Sequence, residues 1–169
     1  MYYFTADEHY GHEAIMMYCD RPYKDVESMN KSLIQNHNAV VGVNDITIHA
    51  GDFCWYKRRE QAQKIIRQLN GNHVFLRGSH DHWMPDSYKA VWSRMIDGHY
   101  VMVCHYAMRV WARSHYNSWM LYGHSHGQLE PRGKQHDIGV DNNMYYPVSF
   151  DRICEIMKDR EDNFNLVRK

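Results

Sequence analysis

The sequence predicts an α/β fold on three observations. Short β-prone runs alternate with helix-patterned segments through the first half. Further β-prone runs follow in the second half with little helical pattern between them. The residues able to carry chemistry fall directly after the predicted strands, where open α/β sheets place their binding sites. The order β–α–β–α–β implies early strands made parallel by crossover helices, with the later strands forming a second sheet or an extension.

Each element has a local reason. Residues 2–5 (YYFT) form a short β-prone run. Residues 27–40 carry Met29, Leu33 and Val40 at helical spacing. The segment DITIHA, 45–50, alternates with period two and is β-branched, hence a strand. Residues 58–70 place Ala62, Ile65, Ile66 and Leu69 on one helical face, and Gly71 stops the helix. HVFL at 73–76 is the next strand, followed by strands at 99–104, 118–122 and 136–140. Ser149 caps a last helix that runs through Met157. At 169 residues the chain is expected to be one domain, 1–169, with a polar tail over 158–169 that frays.

Composition narrows the function classes. Lys and Arg total 20, as do Asp and Glu, so attraction to nucleic acid by bulk charge is excluded and only a local basic patch is left. No run approaches the ~18 apolar residues of a membrane span, and the N-terminus has acids and histidines where a signal peptide has a basic start and an apolar stretch. The four cysteines form no C-x-x-C pair, which removes zinc ribbons and thioredoxin-like motifs and fits a reduced, cytoplasmic protein. Histidine is the unusual count, 13 of 169, and it leans towards a metal site or proton transfer.

Five successive strand ends each deliver a carboxylate or an imidazole. They are Asp7-Glu8-His9, Gly51-Asp52, Gly78-Ser79-His80-Asp81, His105, and Gly123-His124-Ser125-His126. In D-x-H and H-x-H, residues two apart in an extended segment point the same way, so both reach one ion. The glycines at 51, 78 and 123 allow unusual backbone angles and close approach. Each block alone is weak evidence; their order is specific.

That series, D-x-H, G-D, G-x-H-D, H and G-H-x-H, resembles the signature of the calcineurin-like metallophosphoesterases, and it spans Asp7 to His126. The stretch from FTADEHYGHEAI through CDRPY is similar to the small, single-domain bacterial and phage members, described mostly as predicted phosphoesterases. The resemblance implies a β-sandwich flanked by helices, a four-layer α/β/β/α arrangement. It implies two divalent ions, Mn²⁺, Fe or Zn²⁺, with Asp7, His9 and His126 on the first, His105 and His124 on the second, and Asp52 bridging both. His80 matches the histidine that faces substrate and Asp81 the acid that orients it. Two such ions ~3.5–4 Å apart share a hydroxide and clamp a phosphoryl group for in-line attack. One block departs from the pattern: Ser79 stands where the family has an asparagine ligand of the second metal. A neutral hydroxyl is a shorter and poorer donor, so the second site is expected to be weak.

Neighbouring residues carry further expectations. His12, Arg21 and Arg77 are candidates to bind substrate phosphate, Arg because phosphoesters favour its planar fork. Glu8, in the variable place of D-x-H, is expected to point away from the metals, and His49 to be a core or supporting group. Lys57-Arg58-Arg59 is either a solvated face or a guide for a nucleic-acid backbone. The segment 109–113, which alternates basic and apolar residues around Trp111, is expected to be a loop packing its tryptophan. The implied function is metal-dependent hydrolysis of a phosphodiester of a nucleotide, a cyclic nucleotide or a nucleic-acid end, with a phosphomonoesterase as the near alternative. A weakly active or inactive phosphoester-binding or regulatory module is the alternative of another class, through Ser79. The partner is a phosphoester, with no membrane involved.

Overall fold

A computed structural model describes residues 1–167, so 168–169 of the tail expected to fray lie outside the described residues. The elements in order are β1 (Tyr2–Thr5), α1 (Ala14–Tyr18), α2 (Val26–Val40), β2 (Ile46–His49), α3 (Arg59–Ile66), β3 (Asn72–Phe75), β4 (Val91–Ile96), β5 (His99–Cys104), β6 (Trp119–Tyr122), β7 (Gln135–Asp137), β8 (Val148–Ser149) and α4 (Phe150–Asp159). Short 3₁₀ turns occupy Ser114–Tyr116 and Val140–Asn142.

Two four-stranded sheets, ordered β3-β2-β1-β8 and β4-β5-β6-β7, make up the body. Strands β1, β2 and β3 are parallel, as are β5, β6 and β7, while β8 and β4 close their sheets antiparallel. The alternation of the strands decides the core. Phe4, Ile48, Val74, Val101, Val103, Trp119 and Leu121 meet between the sheets, joined by Phe150, Ile153 and Met157 of α4. Met29 and Leu33 of α2 and Ala62 and Ile65 of α3 cover the outer face of the first sheet. Met102, Met120 and Tyr122 on the outer face of the second sheet are closed over by Trp111, whose indole N–H donates to the Ser118 carbonyl at 3.2 Å. This is the helix-flanked β-sandwich that the sequence implied. No helix among the described residues is long and apolar enough to cross a membrane.

Local chemistry explains the boundaries. Asp25 caps α2 by accepting from the Ser28 N–H at 2.8 Å, and the Ser28 side chain completes a capping box. Ser149 caps α4 as expected. Helix α3 stops at Ile66, short of Asn70, because its exit tightens into i to i+3 hydrogen bonds from Gln68 to Ile65 and from Leu69 to Ile66. Strand β4 has no counterpart among the elements expected from the sequence, because it is an edge strand burying only Ile96 and so lacks a two-residue hydrophobic period. Its hairpin signal is Asp97-Gly98, both at positive φ, the geometry of a tight turn between paired Ile96 and His99.

Residues 160–167, within the tail expected to fray, make hydrogen bonds to the body. Buried Asn163 donates to the carbonyls of Ser114 and Ser118, Lys134 Nζ donates to those of Met157 and Arg160, and the Val167 N–H donates to His115. Helical periodicity carries no trace of such side-chain anchoring.

Candidate metal centre

The in-register parallel pairing Thr5 to His49 and His49 to Phe75 brings the loops after β1, β2 and β3 to one level. The loops after β5 and β6 join them, with the Gly123 N–H donating to the His105 carbonyl at 3.0 Å. Two groups of ligand atoms result: Asp7, His9 and His126 in one, and Asp52, His105 and His124 in the other. Within each, the ligand atoms lie within 4.8 Å of one another. Asp52 stands between the groups, its Oδ2 3.3 Å from His105 Nε2 and 3.7 Å from His9 Nε2.

The convergence is not achieved with extended backbone. Asp7, His9, Asp52, His124 and His126 all have positive φ, between 47° and 69°. For non-glycine residues this conformation costs on the order of 1 kcal/mol each, and such strain clusters at functional sites. It also sends the two histidines of G-H-x-H to different groups, against the strand-spacing argument that residues two apart reach one ion and in the division that the resemblance implies. Close approach is possible because Gly123 has no Cβ, which would lie 2.6 Å from Asp7 Oδ2.

The donor set fits divalent cations. Asp7 Oδ1, His9 Nε2 and His105 Nε2 are buried and lack any hydrogen-bond partner, a costly arrangement unless an ion satisfies them. In three of the four rings the other nitrogen is held: His105 Nδ1 by the Ala50 carbonyl at 3.0 Å, His126 Nδ1 by Asp141 at 2.7 Å, and His9 Nδ1 by His12 at 3.2 Å. This is the outer support that metal-binding imidazoles use. Burial and the carboxylates of Asp52 and Asp137 hold the Asp7 pKa well above its ordinary range, a cost that a nearby cation reverses. Burial keeps His9 neutral, as a ligand must be, with its pKa pushed down to about 2. Burial also works against the charged form of Asp52, but the nearby His105 imidazole and the His80 N–H outweigh it and hold that carboxyl low.

Around these groups opens a cleft of 1010 Å³, lined by His9, His12, Asp52, His80, His124 and His126 together with residues of α1 and Trp55. His80 Nε2 lies 4.0 Å from Asp52 Oδ2, and its backbone N–H donates to Asp52 Oδ1 at 2.7 Å. The Ser79 hydroxyl donates to Asp52 Oδ2 at 3.0 Å, so it is spent on the carboxylate between the groups. His12 lines the cleft, with its ring stacked on Trp55.

Three expected roles are corrected. Asp81 does not orient His80; its carboxylate accepts from the N–H groups of Asp52, Phe53 and Gly78 and from the Trp83 indole, fixing the loop that carries Asp52. Arg21 does not face substrate. Its side chain is buried, paired through Nε and Nη2 with Asp141 at 2.7 Å, and it donates to the carbonyls of Asp7 and Glu8. Arg77 is paired with exposed Asp86 and does not line the cleft.

Asp141 is a functional residue that sequence reasoning missed, since it sits in a polar 3₁₀ turn without a motif. Cys19 lies near it and His126, but both Asp141 oxygens are already committed to Arg21 and His126. Glu8 points away from the metal groups, as expected, into a buried chain. Its Oε1 lies 2.6 Å from His49 Nδ1, and His49 Nε2 lies 3.0 Å from His73 Nδ1. Burial pushes Glu8 up to about 8 and His49 down to about 3, so the pair is neutral at pH 7, with the carboxylic acid donating to the imidazole. A raised carboxyl pKa makes the native state hold a proton that the unfolded chain has released. Its stabilisation is complete below about pH 4.5 and is lost as pH rises to about 8. Glu8 should therefore contribute a loss of about 1 kcal/mol to the metal-free protein from pH 7 to 8. Glu8→Gln, whose amide donates the same bond, should remove that drop in urea titrations; equal slopes for the two proteins would contradict the assignment.

Comparison with known proteins bears on the fold and kinship. No family model matches the chain. The protein of unknown function AQ665 from Aquifex aeolicus shares the fold, with a TM-score of 0.72 at 20% identity over 92% of this chain and 98% of that one. An uncharacterized protein of Streptococcus pneumoniae, described as a predicted phosphoesterase, superposes with a TM-score of 0.42 at 12% identity over 82% of this chain and 70% of that one. A curated relative from Methanocaldococcus jannaschii is 31% identical over 164 residues, 92% of this chain and 90% of its own length. On that identity and coverage, the chain belongs to the family of the uncharacterized protein MJ1445.

Proposed function

We propose that this protein is a metal-dependent phosphoester hydrolase acting on phosphodiesters of nucleotides, cyclic nucleotides or nucleic-acid ends, as the resemblance to the calcineurin-like metallophosphoesterases implies. The observation that carries this reading is the pair of ligand groups on either side of Asp52, with buried, unpartnered atoms of Asp7, His9 and His105 facing one another. Asp7, His9 and His126 would hold one divalent ion and His105 and His124 the other, with Asp52 shared. Bound there, such ions supply Lewis acidity towards phosphoryl oxygens and lower the pKa of water. The chain's own part is to orient and to handle protons. His80, partly exposed beside Asp52, is placed to stabilise charge on the phosphoryl group or to protonate the leaving oxygen. Asp81 keeps the loop of Asp52 rigid. His12 and Trp55 wall the cleft.

The test is hydrolysis of bis(p-nitrophenyl) phosphate and p-nitrophenyl phosphate with Mn²⁺, Fe²⁺ or Zn²⁺, with His80→Ala as control. Metal-dependent turnover that falls ~10²–10⁴-fold in the variant supports the reading. Faster monoester cleavage would select the phosphomonoesterase alternative, and no turnover on either substrate, nor on cyclic or oligonucleotide phosphates, would overturn the enzyme reading.

The Ser79 hydroxyl on Asp52 favours a second reading, a phosphoester-binding module with one well-held metal. Ser79→Asn separates the two: metal per chain and turnover should both rise in the variant, measured by elemental analysis and by the same assay. If neither rises, the weak second site is not caused by Ser79.

A further inference from the structure

One wall of the cleft is apolar, largely aromatic and exposed. Trp55 is 40% exposed, and Met17 and Tyr18 of α1, lining the same cleft, are 75% and 66% exposed. Large apolar side chains left in water at the mouth of a polar site signal a ligand with a flat apolar part. The Trp55 plane is fixed in advance. One face stacks on His12 with ring centroids 3.9 Å apart and planes within 9°, and His80 lies 4.9 Å away at a tilt. A planar group resting on Trp55 therefore sits next to the imidazole that faces the phosphoryl group, at little ordering cost.

The chain that leaves Trp55 carries charge of matching sign. Lys57, Arg58 and Arg59 are all exposed, and none of them enters an ion pair among the described residues. They follow Trp55 within four residues, hence within ~14 Å along the backbone. A flat ring in the cleft beside the ligand groups and three exposed cations within four residues of it match a single strand of nucleic acid, whose bases stack and whose backbone is anionic.

We propose that Trp55 is the stacking platform for a base at a single-stranded nucleic-acid end, with Lys57, Arg58 and Arg59 holding the adjoining phosphates. This rests on the phosphodiester reading of the same cleft and narrows its substrate to a strand with a base next to the cleaved ester. A cyclic or free mononucleotide would use the ring but not the cations. Trp55 is a specificity residue here, separate from the groups assigned to metal and proton transfer.

The experiment measures binding of a fluorescein-labelled single-stranded hexanucleotide to the metal-free protein by anisotropy, against the same backbone without bases. The wild type should prefer the base-bearing strand by about five- to 150-fold, the range of one base stacked on one aromatic ring. Trp55→Leu keeps an apolar side chain but removes the flat face, and should bring the ratio close to one; Trp55→Phe should keep most of it. Replacing Lys57, Arg58 and Arg59 by alanine should weaken both strands alike and flatten their salt dependence, by ~0.7 in logarithmic slope per lost phosphate contact. Equal binding of the two strands by wild type, or an unchanged ratio in Trp55→Leu, overturns the proposal. So does an unchanged salt slope with adenosine monophosphate binding as tightly as the strand, which leaves a mononucleotide as the ligand. Failure of the hydrolase reading looks different: strands bind through Trp55, yet no phosphodiester is cleaved with any of the three metals. Cleavage of bis(p-nitrophenyl) phosphate without any base preference refutes the stacking platform alone.

Discussion

Replacing Asp52 with asparagine is expected to abolish metal binding while leaving the metal-free fold intact. Asp52 Oδ2 lies within 3.3 Å of His105 Nε2 and 3.7 Å of His9 Nε2, so one oxygen serves both ligand groups. Asparagine has the same shape and still accepts from the His80 N–H through Oδ1. What it loses is the negative charge, and in place of Oδ2 it can turn N–H donors towards imidazole nitrogens that now lack partners. Even the outer partners of metal ligands are worth ~10–100-fold in affinity, so removing the shared carboxylate should cost more than ~100-fold. Calorimetric titration with Mn²⁺ measures this directly. The thermal midpoint of the metal-free variant should fall slightly while the fold is kept, because the lowered pKa of Asp52 means that its charged form stabilises the metal-free protein at pH 7. Wild-type affinity in Asp52→Asn would show that Asp52 is not shared.

Arg21→Ala should produce the largest loss of stability, ~3–5 kcal/mol, the range seen when one partner of a buried ion pair is removed. The guanidinium is buried and holds Asp141 bidentately together with the carbonyls of Asp7 and Glu8. Its removal strands a buried carboxylate and frees the loop that presents Asp7 and His9. Arg21→Lys should recover little, since a single ammonium cannot span both carboxylate oxygens and two carbonyls. Urea unfolding at pH 7 measures both variants; a loss below ~1 kcal/mol would mean that the pair is not the brace described. Asp141 also fixes the His126 ring, so metal affinity should fall with stability in Arg21→Ala.

The ligands were legible because strand ends are legible. The period-two pattern of DITIHA and the apolar run HVFL locate Asp52 and the 78–81 loop, and parallel pairing brings those ends together whatever the intervening helices do. The supporting residues were not legible. An arginine beside a ligand motif reads the same whether its fork meets a phosphate or a buried aspartate, and the aspartate that decided the matter is 120 residues away from Arg21 in sequence. Asp81 follows His80 directly, yet its carboxylate turns back to the Asp52 loop, a direction set by three backbone N–H groups rather than by sequence spacing. Left-handed backbone at Asp7, His9, His124 and His126 is likewise a tertiary result, imposed where neighbouring loops crowd, although Asp and His tolerate it better than most residues. Strand β4 was missed for the opposite reason: most of its side chains face water and leave no hydrophobic period to find.

The paired metal centre is tested most directly by anomalous diffraction from crystals grown with Mn²⁺. Two peaks are predicted on either side of Asp52, the stronger at Asp7, His9 and His126 and the weaker at His105 and His124, where the Ser79 hydroxyl is already spent on Asp52. A map without a peak among these residues, or with its manganese bound elsewhere on the chain, would contradict the centre described.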